Sequence, residues 1–312
     1  MNLNCAIPAI LLLMGSQDNK PPEPVQTLEG HTDAILSIAF SRDGKQIATG
    51  GADKFGRVWN VSDGEEVCVV TPGYAVTGIS FSKDGKALAT GSWGGQVWEI
   101  ESKKRLKHLE SHTGFVTCAS YSPSGKMLAT AGLDGTAKLY DLATWEEVKS
   151  LTHGEQVNCM AFSFDGKVLA TAGDTSLKIW DTETWQDRHT SKSPPVTAIA
   201  FAHDGKQIAT GHSDGKIRIW DIESGKAIAT IPAKDERVNG VGYTLDGKLL
   251  ISAGTAKLVT GWNTSNWQEG FSWMAHSAPI TCLSVSPDGK RIATGSEDKT
   301  AKVWQVPKVE SK

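Results

Sequence analysis

The chain has 312 residues, 39% hydrophobic and 21% charged, an ordinary globular composition at a length that closed all-β architectures often fill as one unit. A net charge of −3 and a pI near 6.3 leave no basic excess to track a phosphate backbone, so nucleic acid is excluded as the default partner. Tryptophan is frequent, at 11 residues, and the five cysteines form neither a CxxC pair nor a Cys/His run of zinc spacing, so they read as free, small, buried residues.

Taken in chain order, residues 1–24 form an apolar and then proline-rich segment. Leu3 to Met14 is almost wholly apolar, followed by Gly15-Ser16 and the polar stretch Asp18 to Pro24. An apolar run of that length before small residues resembles a secretion signal, but no Lys or Arg precedes it. The competing reading is a disordered or mis-assigned start, with Met14 as the initiator. The compartment therefore stays open between cytoplasmic and exported. The run is too short to span a bilayer, and no transmembrane span is expected.

From Val25 onward the sequence repeats itself. An Asp/Ser-Gly-Lys turn occurs seven times, with its glycine at Gly44, Gly85, Gly125, Gly166, Gly205, Gly247 and Gly289, spaced 41, 40, 41, 39, 42 and 42 residues apart. An aromatic residue follows each turn at near-constant distance: Trp59, Trp98, Tyr140, Trp180, Trp220, Trp262 and Trp304. In the first unit, Ile35 to Phe40, Gln46 to Gly50, Arg57 to Asn60 and Glu66 to Val70 parse as four strands, the first two joined by an Asp-Gly turn suited to a tight hairpin. No segment keeps a helical period. A period near 40 residues with four strands per unit is the signature of a propeller blade, and stacking blades radially buries the faces that one sheet alone would expose. The fold expected is a single seven-bladed all-β propeller over 25–306, with a polar tail at 307–312. The last unit lacks a fourth strand, and Val25 to Leu28 supplies one, pairing into the last blade to close the ring.

These residues resemble the WD-repeat family over 25–306, with Gly30-His31, Tyr140-Asp141, Trp180-Asp181 and Trp220-Asp221 carrying the likeness beside the seven turns. The resemblance implies a buried hydrogen-bonded tetrad of His, Ser/Thr, Asp and Trp within a blade. The matching residues are His31, Thr49, Asp53 and Trp59 in blade 1 and His276, Thr294, Asp298 and Trp304 in blade 7. Blade 3 offers His112, Thr130 and Asp134 with Tyr140 in place of Trp. Blade 4 offers His153, Thr171, Asp174 and Trp180 with a shortened turn. Blade 2 departs, with Pro72 and Ser92 where His and Asp are expected. Blade 5 has Lys192 at the His position beside Thr210, Asp214 and Trp220, and blade 6 has Lys234 and Ala256.

Because His, Thr and Asp recur at a fixed phase, they read as fold determinants and not as a catalytic triad, which is usually unique and opens on a cleft. No HExxH, GxxxxGK[ST] or GxSxG stretch is present. No metal or other cofactor is expected, and Cys118, Cys159 and Cys282 share one packing phase. His108, His189, His203 and His212 fall outside the tetrad phase and read as exposed polar residues near turns or in outer strands.

The resemblance also implies a non-catalytic scaffold that binds proteins or peptides around the channel mouth, as a monomer within a complex. The alternative is an enzyme or small-ligand binder using the channel. Ala34, Ala75, Phe115, Gln156, Pro195, Arg237 and Pro279 are expected to ring the mouth. Phe55, Tyr74, Trp93 and Phe115 gather aromatic residues on blades 1 to 3 of one face, and with Arg237 they form the expected partner-binding set. Trp145, Trp185 and Trp267, on the opposite face, read first as turn-packing residues.

Overall fold

The computed structural model describes residues 21–307, and every regular element among them is a β-strand. The apolar run at 3–14 and residues 308–312 of the tail lie outside the described residues. Seven four-stranded antiparallel sheets follow one another along the chain. In blade 1 the strands are Ile35–Phe40, Gln46–Gly51, Gly56–Asn60 and Glu66–Val70, from the innermost outward. Blade 7 comprises Ile280–Val285, Arg291–Ser296 and Ala301–Gln305, and its outermost strand is Gln26–Leu28. Gln26 pairs with Val303 and Leu28 with Ala301, so the first strand of the chain is zipped to the last. The inner strands touch their neighbours in a closed ring that includes the contact between blades 7 and 1.

The turns between first and second strands explain why the repeat is visible at all. Each turn glycine has φ between 68° and 73°, a left-handed conformation that disfavours residues with a Cβ. In blade 1 the Asp43 carboxylate accepts the Ser41 hydroxyl at 2.7 Å and the Lys45 backbone N–H at 3.0 Å, fixing the hairpin. These bonds, that to the Lys45 N–H foremost, hold the Asp43 carboxyl below its ordinary value.

The core sits between blades. Ala48, Val58, Cys68 and Val70 of blade 1 pack on Val76, Ile79, Phe81, Leu88 and Trp98 of blade 2, and the other clusters repeat this around the ring. A polar belt reinforces the packing at the channel mouth. Ser37, Thr77, Thr117, Asn158, Thr197, Asn239 and Thr281 each donate a side-chain hydrogen bond to a carbonyl of the next blade, and the last returns to Ile35 of blade 1. In four blades the donor is the extra residue of a β-bulge: Thr117, Thr197, Asn239 and Thr281 fall where the register shifts. A bulge re-aims one side chain out of the ladder, here toward the neighbouring blade. The accepting residues, among them Val116, Val157 and Val238, are fully buried, so these bonds satisfy carbonyls that water does not reach.

Candidate functional site

Antiparallel connectivity places the blade-to-blade loops and the turns between second and third strands at the same end of the ring. The tetrads stiffen that end. In blade 1, His31 Nδ1 lies 2.9 Å from the Asp53 carboxylate and Nε2 lies 2.8 Å from Thr49 Oγ1, which also accepts the Trp59 indole N–H at 2.9 Å. A carboxylate only accepts, so Nδ1 carries the proton, Nε2 accepts from the Thr49 hydroxyl, and every group is satisfied by a neutral imidazole. Blade 7 repeats the arrangement with His276, Asp298, Thr294 and Trp304. In blade 3, His112 bonds Asp134 and Thr130, while the Tyr140 hydroxyl turns to Ser111. Burial lowers the pKa of His31, His112 and His276, outweighing the pull of their aspartates.

Blade 4 corrects the expected tetrad. His153 Nδ1 meets Thr171 Oγ1 at 2.9 Å, but Asp174 does not reach the imidazole; its carboxylate accepts from Gln156 and Asn158. The spacing from Thr171 to Trp180 is nine residues, against ten from Thr49 to Trp59, so Asp174 arrives one position early. Glu155 fills the gap from the entering loop, bonding Ser176, whose hydroxyl lies 3.2 Å from His153 Nε2.

Blade 5 corrects a second expectation, because His212 is fully buried and not exposed. It supplies the imidazole that position 192 lacks, with Nε2 2.7 Å from Thr210 Oγ1 and Nδ1 donating to the Pro194 carbonyl. Burial pushes its pKa down to about 4, with Arg218 adding to the shift. Asp214 stands outside the network, paired in two bonds with Arg218. His189 reaches the Glu223 carbonyl and is half-buried, and His203 stacks on Phe164.

Blade 2 is where the network gives way to an apolar surface. The Trp98 indole N–H still bonds Thr90, but no imidazole joins it, and the buried Gln96 opposite Thr90 donates to the Pro72 carbonyl. From Thr90 to Trp98 the chain runs eight residues, so the connection shrinks to a tight turn in which Ser92 pairs with Gly94 and Trp93 stands at the tip. Gly94 adopts φ 86° to make this turn, and Trp93 forms an isolated bridge with Phe115.

This geometry brings Tyr74, Trp93 and Phe115 together. Ring centroids lie 5.4 Å apart for Trp93 and Phe115, edge to face, and 6.2 Å from Tyr74 to each of the others. At these distances the rings touch, so the cluster presents an outward face and not a cage. Tyr74 remains 49% exposed and Trp93 53%. Leu133, 47% exposed, adjoins them, its N–H donating to the Phe115 carbonyl. Sequence reasoning missed Leu133; the signal was its place next to the tetrad Asp134, where other blades carry small or polar residues. Phe55 does not join the ring contacts and lies half-buried beneath the Arg57 guanidinium, 5.4 Å from its centroid. Arg237 is exposed on blade 6, its Nε donating to Asn239, across the mouth from the cluster.

At the opposite end, Trp145, Trp185 and Trp267 have φ of 61°, 56° and 59° and pack, half-buried, against the hydrophobic cores. Cys118 and Cys282 are free thiols that burial pushes up to about 11 and about 12. Among the described residues, no three His, Cys, Asp or Glu side chains are placed to hold a metal ion, and no helix is long and apolar enough to cross a membrane.

Residues 75–272 match the family described as the IFT122 first beta-propeller, and residues 22–60 and 267–305 match the WD domain, G-beta repeat. Among curated proteins, the chain is 26% identical over 93% of its length to pre-mRNA-processing factor 19 homolog 2 of Arabidopsis thaliana, covering 50% of that protein. It is 29% identical over 86% of its length to cilia- and flagella-associated protein 52 of Chlamydomonas reinhardtii, covering 38% of it. It is also 25% identical over 89% of its length to a guanine nucleotide-binding protein subunit beta of Arabidopsis thaliana, covering 82% of it. The chain thus spans half or less of the first two relatives.

Proposed function

The chain belongs to the WD-repeat β-propeller family, and from that premise we propose that it is a non-catalytic scaffold that seats a protein or peptide partner on the loop end of blades 2 and 3. The carrying observation is the Tyr74, Trp93 and Phe115 cluster, continued by Leu133. Three touching rings with two of them half-exposed form a contiguous apolar patch, whereas a lone exposed apolar residue would need no explanation. Large aromatic side chains dominate binding energy where a partner desolvates them. Blade 2 lacks the His and Asp of the tetrad at this loop, and the side-chain bonds that remain there, Trp98 to Thr90 and Gln96 to Pro72, do not involve these rings. Arg237 and Phe55 flank the mouth and would meet a partner large enough to cross it.

Use of the channel by a small ligand has less behind it, since the polar side chains at its mouth already bond the next blade. A benzophenone amino acid placed at position 74 tests the proposal by photo-crosslinking in the native host. A discrete crosslinked protein from position 74, not obtained from position 164 on the opposite face, supports it. Equal crosslinking from both positions would refute it.

A further inference from the structure

At the end opposite the aromatic cluster, one of the seven hairpin turns differs in charge. Six turns carry an aspartate whose carboxylate accepts the following Lys N–H at 2.9 to 3.1 Å. The blade 3 turn has Ser124 instead, and the Lys126 N–H reaches its hydroxyl at 3.3 Å. Two cations from other blades converge on this turn, which lacks the carboxylate of the other six. The Arg42 guanidinium, from blade 1, donates to the Pro123 carbonyl at 2.9 Å, and Lys83 Nζ, from blade 2, donates to the Ser124 carbonyl at 3.2 Å. The Lys83 stem lies on Gly125. The nearby Asp84 carboxylate is engaged within its own turn by Ser82 and the Lys86 N–H. Ser124 is exposed, whereas Ser122 beside it is buried.

We propose that Ser124 is a phosphoacceptor whose phosphate is clasped by Arg42 and Lys83. A separate serine/threonine kinase supplies the reaction. The bond between the γ-phosphorus and its bridging oxygen in a nucleoside triphosphate breaks, a new P–O bond forms to Ser124 Oγ, the hydroxyl proton passes to the kinase's base, and the nucleoside diphosphate leaves. The product places a near-dianion where six other turns hold a carboxylate. Its oxygens can take the Lys126 N–H and draw Arg42 and Lys83 from neutral carbonyls into charge-assisted bonds, which are the stronger kind. The site faces away from Tyr74, Trp93 and Phe115, so it stands or falls independently of the partner-binding proposal.

The test uses the full chain with phosphoserine incorporated at position 124, with phosphorus NMR reading the second ionisation of the phosphate. Free phosphoserine ionises near pH ~6, and a clasped phosphate should do so about half a unit or more lower. The Arg42→Ala/Lys83→Ala double variant should return it to the free value, while unmodified Ser124→Ala keeps the wild-type melting temperature. Mass spectrometry of the protein from its native host should find phosphate on Ser124. An ionisation unmoved by the double variant, or native protein carrying no phosphate at this position, would overturn the proposal.

Discussion

Blades 7 and 2 answer the same structural demand in opposite ways. In blade 7 the loop end is closed by Trp304, Thr294, His276 and Asp298, each polar group finding a partner inside the blade. In blade 2 the imidazole and carboxylate are gone, the turn is two residues shorter, and the only remaining tetrad bond runs from Trp98 to Thr90. The Gln96 Oε1 that replaces the network is buried without a hydrogen-bond partner among the described residues. What blade 2 exposes in exchange is Trp93, seated against Tyr74 and Phe115. The proposed recognition role rests on this exchange of a closed polar network for an exposed apolar patch.

That contrast has measurable consequences. The largest should come from the buried imidazoles. His212 has a folded pKa near 4 against an ordinary value of 6.5. Its depressed pKa means that the unfolded chain binds the proton more readily. Its stabilisation is therefore complete above pH 6.5 and is lost as the pH falls toward 4, an effect on the order of 3 kcal/mol. Urea midpoints at pH 7 and pH 5 should differ in that direction, and His212→Asn should flatten the dependence. Next, Thr294→Val in blade 7 deprives two buried partners, His276 and Trp304, and should cost about 2–3 kcal/mol in chemical denaturation. The matching Thr90→Val in blade 2 deprives only Trp98 among tetrad members and should cost about 1–2 kcal/mol. Equal costs for the two would erase the distinction between the blades. Trp93→Ala with Phe115→Ala should have the smallest effect on stability, under about 1 kcal/mol, because much of the cluster already faces water.

The seven-fold ring was legible in the sequence because the Asp-Gly turn needs left-handed backbone and so recurs where the geometry recurs. The zipped termini were legible from strand counting, since Gln26 to Leu28 fits the gap left after Trp304. The tetrads were legible only where loop length stayed constant. Asp174 misled because one missing residue moved it out of reach of His153, and Glu155 approached from another loop. His212 misled because the buried Thr210 hydroxyl donates to an imidazole two residues along its own strand, where blades 1 and 7 bring one from the entering loop. Trp93 was visible as an oddity, but the eight-residue spacing from Thr90 to Trp98 that lifts it to the tip of a turn is what makes it a neighbour of Phe115. Phe55 shares their chemistry without their contacts, because Arg57 covers its ring.

Affinity capture from the native host, with the intact chain and the Trp93→Ala/Phe115→Ala variant side by side and each checked for its thermal midpoint, decides whether the proposed role of the blade 2 and 3 aromatic cluster is recognition or folding. A specific protein retained by the intact chain and lost by a variant that melts within a few degrees of it is the expected result. Capture of the same protein by both chains, or a variant that no longer folds, would contradict it.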